Sequence, residues 1–298
     1  MPIDIQGSST VPATTSELWQ RRPGRVDRRI AQLPPRLRWA TGALRLTIRE
    51  PADGLDRALI RAKLLVANQR PPGHQYHVEV AWHRRLHERL GIAWPCAAIS
   101  SFDRLWSELL EEVRAHGLSL GRGTYGGWDD ADSALARAIW CLMSHLHPAK
   151  VIETGVARGV TSRCILEALA RAGTGHLWSI DLPAMDATLH DQIGIAVPDG
   201  LRRRWTYISG TSRKRLPTLL DQVGPIDLFI HDSSHTKRNL LFELQHAWDA
   251  MERGAIVADD IDQSAAFAEF ACQLPPGSTF VVEADDGSAL FGIALKGV

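Results

Sequence analysis

The chain has 298 residues, 45% of them apolar and 23% charged, a globular composition that excludes global disorder and fibrous classes. Its 34 basic residues balance its 34 acidic ones, which argues against a dedicated nucleic-acid binder, because neutralising a phosphate backbone needs a basic excess. The balance hides an asymmetry: 19 acidic residues face 13 basic ones from Val151 onward, so the first 150 residues are net positive.

The opening stretch, to about Gly24, mixes Ser, Thr, Pro and Arg without sustained periodicity. Arg21, Arg22, Arg25, Arg28, Arg29, Arg36, Arg38, Arg45 and Arg49 crowd its end and the next two dozen positions. A solvated, partly disordered arm is the plain reading; a homo-oligomer contact or a patch for an anionic partner is the sharper one. Pro34-Pro35, Glu50-Pro51 and Pro71-Pro72-Gly73 punctuate short helical patterns, among them Leu55, Leu59 and Leu64-Leu65. His83 and His87 stand at i, i+4, a spacing that can bind metal, but no third ligand lies near in sequence and the pair reads as a solvated helix face. An amphipathic helix is expected over 102–116, with Leu105, Leu109 and Val113 on one face. Residues 1–120 thus read as a mostly helical N-terminal extension.

From residue 121 the character changes. Gly121, Gly123, Gly126 and Gly127 form a flexible segment ending in Trp128, a candidate wall for a cofactor pocket. A helix with Leu135, Ile139, Leu142, Met143 and Leu146 comes next, closed by Pro148. Strands are then expected at 151–154, 176–181, 205–208, 226–231 and 255–259, alternating with helices at 161–172, 213–222, 237–251 and 264–272. Such alternation predicts an α/β fold, a mostly parallel sheet with helices on both faces. Residues 278–284 and 289–295 flank Asp285-Asp286-Gly287-Ser288, the turn chemistry of an antiparallel hairpin, making seven strands over 121–298. The stretch 182–204 is long for a crossover and poorly periodic, a natural lid or substrate wall. Trp140, Trp205 and Trp248 read as core.

The most informative segment is Glu153-Thr154-Gly155-Val156-Ala157-Arg158-Gly159-Val160-Thr161-Ser162. A strand ends in an acid, crosses two glycines four apart and opens a helix with unpaired N–H groups. Neither the Gly-x-Gly-x-x-Gly of dinucleotide sites nor the Gly-Lys-Ser/Thr of phosphate loops is present. Glu153 would repel a pyrophosphate and suits a ligand bearing a sulfonium and an amino group. Asp181 ends the next strand, where a carboxylate accepts hydrogen bonds from ribose hydroxyls.

With these motifs the chain, over about residues 124–298, resembles the class I S-adenosylmethionine-dependent methyltransferases; Ile226–Asp232 and Arg253–Val257 carry the rest of the likeness. The resemblance implies a Rossmann-like seven-stranded sheet with a terminal antiparallel hairpin, and S-adenosylmethionine held by Glu153, Gly155, Gly159, Thr161, Ser162, Asp181 and Asp232. One departure is that many members carry Gly-Asp after the third strand for the adenine amine. Here Gly210-Thr211-Ser212 stands instead, so Thr211 and Ser212 would serve through hydroxyls.

Asp232 ends the fourth strand and Asp259-Asp260 the fifth, at the carboxyl ends that face the crevice of an open parallel sheet. Carboxylates that close would push at least one pKa upward unless a hard divalent cation such as Mg²⁺ relieved them. This is similar to the catechol-type and sugar-type metal-dependent O-methyltransferases, which implies Asp232, Asp259 and Asp260 as metal ligands, His235 as the base and a small-molecule hydroxyl as acceptor. The plainer readings stand beside it: Asp262 or Ser264 capping a helix without metal, His235 bonding its own loop, and Asp232 touching only the cofactor. A methyltransferase-like binding module without turnover, and a metal-dependent relative associated with hydroxylation in natural-product biosynthesis, are the alternative functions. Cys96, Cys141, Cys164 and Cys272 lie far apart and lack metal-ligand pairing, which suggests a reducing compartment. No signal core or membrane-length apolar run is visible, so the expectation is a soluble, cytoplasmic protein.

Overall fold

The computed structural model describes residues 28–51, 53–55, 58, 74–126 and 129–298. Arg21, Arg22, Arg25, Leu59, Leu64, Leu65 and Trp128 lie outside the described residues, so the readings resting on them stay with the sequence.

Seven strands form one sheet: β1 (Lys150–Thr154), β2 (His176–Asp181), β3 (Trp205–Ser209), β4 (Ile226–His231), β5 (Met251–Ala258), β6 (Thr279–Glu283) and β7 (Leu290–Lys296), in the order β3-β2-β1-β4-β5-β7-β6. β1 to β5 pair in parallel, while β7 runs antiparallel to both β5 and β6. The predicted hairpin is therefore present, with its second strand inserted next to β5. β5 starts at Met251, earlier than expected, because the register slips between Ile226 and Leu228 and Met251 finds a partner in Ile226.

Side chains of the central strands alternate between two apolar layers, as a period-2 backbone requires. Val151, Leu228, Ile230, Ala255 and Val257 enter one core; Ile152, Phe229, Ile256 and Ala258 enter the other. The first core is covered by α4 (Ser133–Leu146) and α5 (Val160–Ala172), the second by α6 (Ser212–Val223), α7 (Lys237–Asp249) and α8 (Ala266–Ala271). Asp132 caps α4 by accepting from Ala134 N at 2.8 Å. Thr236 caps α7 through Asn239 N.

Among the described residues, the longer helices before this unit are α1 (Pro35–Arg49), α2 (Trp82–Leu90) and α3 (Ala98–Ala115), with one turn of helix at Arg28–Ala31. The expected face of α3 is buried, and Trp82, Leu86, Phe102, Leu105, Leu109 and Val113 share one core with Ile139, Cys164 and Leu228. Trp140, as expected, is buried and donates its indole N–H to Ala98 O at 2.9 Å. Residues 82–115 thus add a layer to the sheet's own core. α1 lies over the 182–204 stretch, where Ala43 and Leu46 meet Met185 and Arg38 pairs with Asp186 at 2.8 Å. That stretch folds into two 3₁₀ turns, Ala187–Gln192 and Asp199–Arg204, which accounts for its weak helical periodicity. No helix among the described residues is long and apolar enough to cross a membrane.

Candidate active site

The strand order reverses between β1 and β4, and ligands of open parallel sheets bind outside the carboxyl ends at such a point. The loop after β1 is shaped by its glycines. Gly155 has φ 88°, and a Cβ there would run into the carbonyl oxygen of Asp232. Only glycine lets the loop cross the end of β4 this closely.

Gly159, with φ 80°, opens α5, but what comes near it is protein: a Cβ would sit 3.0 Å from Gly194 Cα. Gly194 N donates to Ala157 O at 3.0 Å and Ala196 N to Arg158 O at 2.9 Å. The missing side chain of Gly159 seats the 182–204 stretch on the loop.

Glu153 is 1% exposed and lies under the loop, where its Oε2 accepts from Ser162 Oγ and Ser179 Oγ, both at 2.6 Å. Trp205 in turn donates to Ser179 Oγ at 2.9 Å. Burial pushes the Glu153 carboxyl up to about 7 against the pull of the two serine bonds. Its Oε1 is buried with no partner. Ser162, also buried, belongs to this support, while Thr161 beside it is part-exposed.

Asp181, at the end of β2, receives the Tyr207 hydroxyl at 3.3 Å, and its charge is felt by Tyr125. Both phenols are held protonated, chiefly by burial and next by Asp181. After β3, Thr211 keeps a buried hydroxyl without a partner, an acceptor suited to an amine. Ser212 is spent differently, donating to Asn239 Oδ1 at 3.2 Å.

Asp232 and Asp259 meet across β4 and β5. Each is surrounded by protein yet part-exposed. Burial and then the charge of Asp260 raise both carboxyls well above the usual range, and the two share a hydrogen bond. Asp260 does not complete a triad. Its backbone is left-handed (φ 51°), and its Oδ2 accepts from Gln263 at 2.6 Å and faces His235 Nε2 at 3.6 Å. Among the described residues the three acids do not bring an oxygen each within 4.8 Å of the others, so the expected convergence is a pair with a near neighbour. A pair still fits a divalent cation, which takes one or two protein carboxylates plus water and substrate oxygens. Asp262, read as a cap, instead accepts weakly from Leu290 N at 3.5 Å.

His235 is enclosed, its side chain 8% exposed, and burial lowers its pKa, so the imidazole is neutral at pH 7. Its ring meets that of His231 edge-on at 5.5 Å. His231 and Glu243, both fully buried, were not singled out from the sequence. Glu243 accepts from His231 Nδ1 at 2.6 Å, Thr154 at 2.5 Å, Ser233 at 2.7 Å and Asn239 at 2.8 Å. Although burial alone would raise it, His231 and these bonds bring it down to about 2. The i, i+4 spacing of Asn239 and Glu243 on one helix was the available signal. Asp132 was missed too: it adds to the field on Asp259, and its own carboxyl is pushed up to about 6 by burial.

Arg158 is the other residue the sequence passed over. It is 4% exposed and reaches Asp130 Oδ2 at 2.5 Å, Ser119 O at 2.7 Å, Thr124 O at 3.0 Å and Gln192 Oε1 at 3.0 Å. One guanidinium thereby binds the glycine-rich 119–130 segment and the 182–204 stretch to the loop after β1.

This sheet order, with a glycine loop after β1, a strand-end acid after β2 and acids after β4 and β5, defines the class I methyltransferase architecture. Residues 152–261 match a family model described as a methyltransferase domain. No curated protein matches the sequence. Solved structures similar in fold include a protein from Klebsiella pneumoniae assigned as an O-methyltransferase (16% identity, TM-score 0.49, covering 73% of this chain and 97% of that one). Another is the O-methyltransferase TomG from Streptomyces achromogenes, involved in tomaymycin synthesis and solved with S-adenosylmethionine (15%, 0.48, 64% and 89%). A third is an O-methyltransferase from Bacillus cereus with S-adenosylhomocysteine (14%, 0.47, 72% and 97%). Likeness at this level is of fold, and the functional reading rests on this chain's own side chains.

Proposed function

We propose that the protein is an S-adenosylmethionine-dependent O-methyltransferase, assisted by a divalent cation and acting on a small-molecule hydroxyl. The observation that carries this reading is the pair Asp232–Asp259, two acidic side chains set side by side at the ends of β4 and β5, near His235 and against the Gly155 loop. Without a cation the pair is costly, and a site of this kind is where function rather than stability is served.

The cofactor supplies an electrophilic methyl group, and the cation supplies positive charge that makes a bound hydroxyl more acidic. Asp181 accepts the ribose hydroxyls, Thr211 the adenine amine, and the loop 155–159 lends its backbone, with Glu153 and Ser162 fixing that loop from below. Asp232 and Asp259 would hold the cation, with the charge of Asp260 beside them. His235 would take the proton of the acceptor hydroxyl on its imidazole, whose neutral form is favoured by burial. The chain's own part would be chiefly to orient cofactor and acceptor against each other. Four free cysteines agree with a reducing, cytoplasmic setting.

Calorimetry provides the test: S-adenosylmethionine and S-adenosylhomocysteine should bind and NAD should not. Tight binding of NAD alone would overturn the cofactor. Methyl transfer should fall at least tenfold with EDTA and in Asp259→Asn. Turnover untouched by both would remove the cation.

A further inference from the structure

We propose that His87, Cys96, Cys141 and His145 form a structural zinc site, remote from the catalytic crevice, that fastens α2 and the loop after it to α4. The cysteines lie 45 positions apart in sequence, and the fold brings them together. A ligand atom each from His87, Cys96 and Cys141 all lie within 4.8 Å of one another. Zinc–sulfur bonds of about 2.3 Å place tetrahedral ligands about 3.8 Å apart, so the donors need to close in by no more than about 1 Å.

The reading of His87 as part of a solvated helix face is corrected by its burial: it is 0% exposed. Its Nδ1 lies 2.7 Å from His83 O, a bond that needs the proton on Nδ1 and leaves the lone pair on Nε2. That Nε2 is buried and has no partner. A second-sphere carbonyl holding one imidazole nitrogen while the other points into a cluster of thiols is the arrangement of metal-binding histidines.

His145 stands one helical turn beyond Cys141 on α4, and its Nε2 too is buried without a partner. Its ring centroid is 5.2 Å from that of His87. Trp94 covers the group, its ring 4.7 Å from both His83 and His87. Two buried imidazole nitrogens without partners cost stability that a cation would return. Two sulfur and two nitrogen donors select zinc over magnesium or calcium, and binding releases the two thiol protons to solvent.

The test is made on the full chain, purified under reducing, anaerobic conditions from zinc-supplemented culture. Elemental analysis should find about one zinc per chain. Cobalt(II) added to chelator-stripped protein should produce thiolate-to-cobalt charge-transfer absorption. Cys96→Ser, at a part-exposed position and therefore expected to fold, should bind zinc more than ~100-fold more weakly, a larger loss than that of a second-sphere partner. Cys272→Ser, at an exposed position, should leave the affinity unchanged. The proposal fails if folded protein takes up no stoichiometric zinc, if the cobalt form lacks the thiolate band, or if Cys96→Ser binds zinc as the parent does. A Cys96–Cys141 disulfide in the freshly purified chain, seen as a mass lower by two hydrogens, also overturns it.

Discussion

Two buried glutamates with opposite shifts make the residue scale testable by pH. Glu153 is raised to about 7 from an ordinary 4.5, so between those values the folded chain keeps a proton that the unfolded chain gives up. Its contribution to stability is therefore fullest below pH ~4.5 and declines as pH rises toward 7, by about 3 kcal/mol in all. Glu153→Gln, which mimics the protonated form, should gain melting temperature relative to the parent at pH 8 compared with pH 5. An equal difference at both would place the Glu153 pKa at its ordinary value. Glu243 runs the other way. Lowered to about 2, it stabilises the fold above pH ~4.5 and loses that contribution as pH falls toward 2. Glu243→Gln should cost about 3 kcal/mol in urea unfolding at pH 7 and far less at pH 3, since the His231, Thr154, Ser233 and Asn239 bonds favour the ionised form.

Between elements, Arg158 is the residue that carries most. Its pairing with Asp130 is buried on both sides, at 4% and 0% side-chain exposure, and its other bonds reach Ser119, Thr124 and Gln192. Arg158→Met would leave the Asp130 charge uncompensated, a loss of about 3–5 kcal/mol. Pairing it with Asp130→Asn should recover part of that loss, which a double-mutant cycle in urea would measure. Both variants should cleave faster within 119–130 under limited proteolysis and bind S-adenosylmethionine at least tenfold more weakly, because the loop after β1 loses its outer wall. Full cofactor affinity in Arg158→Met would show that the clamp serves the fold alone.

The strands were legible because runs such as Val151-Ile152 and Leu228-Phe229-Ile230 are apolar on both faces, which only a doubly covered sheet explains. The acids at their ends were legible for the same reason, since register fixes where each strand stops. Arg158 was not, because it sits 28 residues from Asp130 and 34 from Gln192, and no local pattern reports a bond over that distance. Gly159 signalled a left-handed backbone, but sequence alone does not show that the 182–204 stretch packs against the space its Cβ would fill. His87 is buried against expectation for a similar reason: its helix is charged overall, and the partners that enclose it, Trp94 and His145, come from other elements.

At the scale of the whole molecule, the composition of the first 120 residues reads as an appendage, whereas packing makes residues 82–115 part of the sheet's own core. Phe102, Leu105, Leu109 and Val113 of α3 are buried together with Leu135, Ile139, Cys164 and Val257. Elements that share one apolar core unfold together, because exposing either half strips the other of its cover. An appendage with its own core would melt separately. Urea unfolding followed by tryptophan fluorescence, to which Trp82, Trp94 and Trp106 contribute from the N-terminal side, should therefore coincide with unfolding followed by far-ultraviolet circular dichroism. Phe102→Ala opens a cavity at a fully buried ring and should cost about 3–5 kcal/mol. It should move both curves to lower urea by the same amount and leave a single transition. Two separated transitions, with only the fluorescence curve displaced, would show that α2 and α3 fold independently of the sheet they cover.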